Sequence, residues 1–154
     1  MQLRYGFLTV RSPVVLCAAW FLLLYFDSSG FFAISLLASM WHELGHVFCY
    51  LLLFRQPPQL TLSFSGIGMK LRADRLSPAK TLLLAAAGPL ANAVAATVWF
   101  VLLHRRFTLI RAANFAAHLL TAGFNCLPVP PLDGYRCIKA LVQIFGRKLH
   151  FQSK

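Results

Sequence analysis

Between Asp27 and Arg55 the chain is apolar over a length sufficient to cross a bilayer, and its only Asp, Glu, Lys or Arg there is Glu43, the single glutamate of the protein. Burying that carboxylate in hydrocarbon is costly enough to call for a functional reason. Its neighbours supply one: the run reads His42-Glu43-Leu44-Gly45-His46. In a helix, histidines four apart share a face and can hold one metal ion. The glutamate beside them can polarise a water on that ion.

The rest of the chain agrees with a membrane solvent. Of 154 residues, 58% are hydrophobic and 12% charged, and mean hydropathy is +0.66, which fits one integral membrane domain spanning 1–154. The net charge of +11 comes from fifteen Lys and Arg residues that lie mostly between apolar segments. There they meet anionic headgroups and set orientation, so nucleic acid is not an expected partner. Cys17, Cys49, Cys126 and Cys137 show no paired metal spacing and read as reduced packing thiols.

Four apolar segments are expected to cross, at about 13–26, 31–54, 81–103 and 112–132. The first is short, and with no small-x-small cleavage pattern after it, it reads as an uncleaved span. The third is alanine-rich, with Gly88-Pro89 near its middle and Asn92 one turn on, which suits close helix packing. The fourth contains Pro128, Pro130 and Pro131, so regular helix should fail near its end. A broken helix at membrane depth tends to line a site. Alternation of Leu60, Leu62 and Phe64 with Thr61 and Ser63, interrupted by Gly66 and Gly68, predicts a membrane-associated β-hairpin over about 59–72. Residues 135–146 fit a short basic amphipathic helix on the membrane surface. The expected fold is an all-α polytopic membrane protein of about four transmembrane helices with that small hairpin.

With the amino terminus in the cytoplasm, twelve of the fifteen basic residues fall inside; only Arg105, Arg106 and Arg111 fall outside. Segments two and four then run from outside to inside, and His46 sits about 12 Å from the inner end of its helix. Asp133, at the inner end of segment four, lies at matching depth.

Two histidines leave a hydrolytic zinc site one protein ligand short. Asp27 falls in the outer loop and Asp74 in a charged inner loop, which makes Asp133 the best third ligand, although it could instead only cap the helix that follows. Glu43 would accept a proton from the attacking water and pass it to the leaving amine. Asn125 could hydrogen-bond the substrate backbone or the developing oxyanion, or serve structure alone. Asn92 reads as helix-packing glue, and His104, His118 and His150 as interfacial or packing residues.

These residues resemble the site-2 protease family of intramembrane zinc metalloproteases, in particular its compact bacterial branch of sporulation-factor-processing type. His42-Glu43-Leu44-Gly45-His46 looks like the family's zinc helix. Gly88-Pro89-Leu90-Ala91-Asn92 is similar to the pattern of its next core helix. Asn125-Cys126-Leu127-Pro128-Val129-Pro130-Pro131-Leu132-Asp133-Gly134 looks like its second metal motif. The likeness covers about 31–140. It implies one Zn2+ per chain on His42, His46 and Asp133, with Glu43 as base and Asn125 positioning substrate. It also implies a β element over 60–71 to which an unwound substrate segment could add as a strand. Many relatives carry further spans, or a PDZ or CBS domain. About twenty residues follow the aspartate motif here, so a second copy or a regulatory membrane partner is the expected source of the surface controlling access.

The expected function is therefore cleavage of a peptide bond in or near a transmembrane segment of another membrane protein, at the cytoplasmic side of the cell membrane. A non-catalytic membrane-embedded binding protein of the same fold is the alternative, against which the intact Glu43 argues. A metal-ion transporter would need polar residues through both halves of the bilayer, and the outer half lacks them.

Overall fold

The computed structural model describes residues 2–6, 8–63, 66–70 and 76–152. Helix α1 is Pro13–Tyr25, α2 Phe31–Phe54, α3 Pro78–Arg105, α4 Leu109–Asn125 and α5 Asp133–Gln152. Local chemistry explains their ends. Prolines open α1 and α3, where the missing N–H has no helical partner to lose. Gly30 precedes α2 at φ 72°, a left-handed turn that glycine adopts without strain. Asp27 caps the same helix: its carboxylate accepts from Ala33 N–H at 3.0 Å and from the Ser29 hydroxyl at 2.9 Å. The Ala33 bond holds the Asp27 carboxyl below the ordinary carboxylate range. Ser77 and Thr108 cap α3 and α4, each side chain accepting a backbone N–H three residues on at 3.3 Å. Arg111 reaches back to the carbonyls of Leu102 and Arg106, at 2.9 and 3.0 Å, and so closes the end of α3.

The helices match the apolar segments with shifted ends. The third extends to 78–105 and encloses Pro89. The fourth ends as helix at Asn125, and 126–132 form an irregular turn with a cis Pro130–Pro131 bond. The carboxy-terminal helix begins two residues earlier than expected, at Asp133, and runs on to Gln152. Of the four expected spans, α2 and α3 are long and apolar enough to cross a membrane. With 13 and 17 residues, α1 and α4 are shorter than a usual span.

The all-α expectation needs correction. Strands β1 (Gln2–Tyr5), β2 (Leu8–Arg11), β3 (Gln59–Ser63) and β4 (Gly66–Lys70) form one mixed sheet in the order β1-β2-β3-β4. The expected hairpin is β3 against β4, antiparallel with Leu60 opposite Met69; residues 64–65 and 71–72 of it lie outside the described residues. The amino-terminal hairpin adds to it through a parallel pair, with Thr9 opposite Thr61. Because α1 and α2 intervene between β2 and β3, this parallel pairing is a long crossover that short-range patterning does not announce.

Packing among the helices relies on small residues. The buried apolar residues are mostly small, among them Ala38, Ala85, Ala96, Ala122 and Ala140, while Phe21, Leu52, Leu90, Val94 and Leu120 face outward. Lipid tails are as apolar as leucine, so helices gain by close approach of small residues rather than by hiding large ones. At the α2–α3 contact, a Cβ on Gly45 would lie 2.7 Å from the Ala87 carbonyl oxygen and 2.7 Å from Ala91 Cβ. One turn away the Trp41 indole donates to the Ala91 carbonyl at 3.1 Å. These contacts set the register that brings His42 and His46 against the middle of α3.

Candidate metal centre

His42, His46 and Asp133 are buried and offer ligand atoms that converge. His42 Nε2 and His46 Nε2 each lie 3.0 Å from Asp133 Oδ2 and 3.1 Å from one another. Ligand atoms ~2.0–2.1 Å from a tetrahedral zinc stand about 3.3 Å apart, so the triangle is close to the size the ion demands.

Proton placement argues in the same direction. His46 Nδ1 lies 2.8 Å from the Leu84 carbonyl oxygen, which can only accept; the ring proton is therefore on Nδ1, and Nε2 presents a lone pair. In the neutral ring that lone pair faces a carboxylate oxygen, and either a second ring proton or a cation among the three atoms satisfies the pair. Asp133 is oriented from its other oxygen, since Arg136 Nη1 lies 3.6 Å from Oδ1 and leaves Oδ2 to the centre.

Two glycines make room for this geometry. A Cβ on Gly88 would fall 2.7 Å from both Cε1 and Nε2 of His42, and would press still closer on His46 Nε2. A Cβ on Gly134 would collide with the Cys126 carbonyl and lie 2.6 Å from the Leu127 carbonyl oxygen, so only glycine lets the start of α5 nest against the turn after α4. The donor set, its spacing and the hollow over Gly88 together fit zinc.

Glu43 is partly buried and follows His42 directly on α2. Asn125, the last residue of α4, is half-buried and donates through Nδ2 to the Thr121 carbonyl at 3.0 Å. The hydrogen bonds of the described residues do not join it to the metal-ligand group. Of the competing aspartates, Asp27 is occupied as the α2 cap, and Asp74 lies outside the described residues. The four cysteines are free thiols. Asn92 is fully buried and bonded to His118, as helix glue should be, whereas His104 is exposed beside Phe100. A cavity of 770 Å³ opens between α3, α4 and α5, with Pro89, Phe115, Ala122 and Gly134 in its walls.

Sequence reading missed the Leu84 carbonyl, the Arg136 contact and the role of Gly88. A glycine in mid-helix was the available signal, since it marks close approach where it is retained against helix propensity. Changing Asp133 to Ala is expected to lower the zinc held per chain after dialysis against a chelator. Full occupancy in that variant would move the third ligand to Asp74 or to a group outside this chain.

No protein-family profile matches the chain. Over 71 residues it is 38% identical to a curated protein of Methanocaldococcus jannaschii named as a putative zinc metalloprotease; the match takes in 43% of this chain and 37% of that relative's length. In three dimensions it resembles a solved structure described as the site-2 protease from Methanocaldococcus jannaschii, with a TM-score of 0.66 and 17% identity over 92% of this chain and 71% of that one. The fold is thus that of a site-2 protease, and the sequence likeness and the His42, His46, Asp133 set support that family for this chain.

Proposed function

We propose that this chain is an intramembrane zinc metalloendopeptidase that cuts a peptide bond in or near a transmembrane segment of another membrane protein. The observation that carries the reading is the convergence of His42 and His46, on the apolar helix α2, with Asp133 at the start of α5, and Glu43 next to His42 in the chain. One zinc per chain, held by those three, would act as a Lewis acid toward the scissile carbonyl and make its own water acidic at neutral pH.

The residues of the chain do the rest. Glu43 takes the proton from the attacking water and returns it to the leaving amine nitrogen. Asn125 holds the substrate backbone near the reacting carbonyl through its carboxamide. A fully paired helix hides its peptide bonds, so the substrate unwinds locally and adds as a strand to a sheet edge; β4 is one such edge.

The proposed setting is the cell membrane, crossed by α1, α2, α3 and by α4 with the turn after it. The amino terminus and the centre face the cytoplasm, as the distribution of basic residues favours. A second copy or a regulatory membrane protein completes the control of access.

The test compares newly formed peptide termini in membranes of cells carrying the wild-type chain and cells carrying Glu43→Gln. Termini found only with wild type, mapping in or beside transmembrane segments, are the expected result. Identical termini in both, with equal expression and zinc content, would overturn it.

A further inference from the structure

Asn92 is fully buried in α3, and its Oδ1 lies 3.0 Å from Nδ1 of His118, which is buried on α4. Its Nδ2 has no hydrogen-bond partner among the described residues, and neither has Nδ1 of His42. When His42 turns Nε2 toward the metal, its proton sits on Nδ1, so both orphans are donors. A buried donor without an acceptor is destabilising, so each of the two calls for an acceptor.

The packing of α2 on α3 brings the two toward one another. Asn92 follows Gly88 by four residues and lies on the same face of α3, and helical side chains lean back over the preceding turn. The preceding turn is the one whose Cβ position at Gly88 lies 2.7 Å from His42 Cε1, the carbon between the two ring nitrogens, and 2.7 Å from Nε2, so α3 meets this ring at the level of Gly88. Two donors cannot bond each other, whereas a single water between them would accept from both.

We propose that Asn92 is a positioning residue of the metal centre: through one shared buried water it fixes the tautomer and tilt of the His42 ring, and His118 in turn fixes Asn92. This rests on His42 being a metal ligand, as the functional reading has it. It extends the support of the centre from α2 across α3 to α4, the helix that leads into the Asp133 turn. The chain then couples the packing of α4 to both sides of the metal site.

The experiment uses the full chain in detergent, with zinc affinity measured against a chelating dye and cobalt substituted for zinc to read the visible absorption bands. Asn92→Leu is expected to weaken zinc binding about 10–100-fold, the range typical of outer-shell losses, and to shift the cobalt bands. His118→Leu should move both readouts in the same direction. His118→Gln, which keeps an N–H donor toward Asn92 Oδ1, should restore most of the affinity and the wild-type bands. Wild-type affinity with unshifted bands in Asn92→Leu would overturn the proposal, as would equal losses in the two His118 variants, which decide the matter alone if Asn92→Leu does not fold. A wild-type chain without zinc affinity would overturn instead the functional reading beneath it.

Discussion

Gly88→Ala is expected to abolish zinc binding without unfolding the metal-free chain. The added methyl would stand 2.7 Å from His42 Nε2 and nearer still to His46 Nε2, distances that carbon and nitrogen do not tolerate. Neither ring can step back without cost. His46 is tethered through Nδ1 to the Leu84 carbonyl at 2.8 Å, and His42 packs edge-on against it, with ring centroids 4.8 Å apart. The rings must rotate, and the Nε2 atoms then cease to converge on Asp133 Oδ2. Helix propensity moves stability the other way, because alanine in a helix interior is favoured over glycine by about 1 kcal/mol. A loss of binding far larger than the change in stability separates this outcome from general misfolding. Zinc titration should show the loss, and the metal-free protein should still unfold cooperatively, because an overpacking cost of about 1–3 kcal/mol is partly offset by the helix-propensity gain. Retention of zinc at wild-type affinity would mean that the hollow over Gly88 does not shape the centre.

The steric role of Gly88 is not legible in the chain alone. Glu43 and Asp133 were legible because acidic groups are scarce and expensive in an apolar sequence; four in the whole chain leave few alternatives. The break after Asn125 was legible because Pro128, Pro130 and Pro131 cannot all continue a helix. Gly88, by contrast, owes its role to the register of α2 on α3, which Gly45 and Trp41 set by contacts across some fifty residues of sequence. The pairing of Asn92 with His118 likewise depends on how α3 meets α4. The extra strands β1 and β2 are four residues each, and their link to β3 is parallel and non-local. Composition and periodicity report the cost of placing a side chain in its solvent. They do not report which two faces meet.

Glu43→Gln is the complementary case, in which binding should survive and chemistry should not. The amide matches the carboxylate in shape and sits one residue from His42 without being among the converging ligand atoms. Zinc affinity should therefore stay near the wild-type value. A neutral amide is also cheaper to keep in an apolar bundle than a carboxylate, so thermal stability should hold or rise. What is lost is the only side chain in the helix motif able to take a proton from the attacking water and hand it to the leaving amine. General acid–base groups contribute about 10²–10⁴-fold to rate, and a fall of that size in cleavage of a reconstituted transmembrane substrate is the expected result. Gln cannot cycle a proton at neutral pH, so the loss should persist at saturating zinc and saturating substrate, marking a defect in turnover rather than in binding. Near-wild-type turnover by a zinc-loaded Glu43→Gln protein would remove Glu43 from the reaction and leave the burial of its charge without a catalytic explanation.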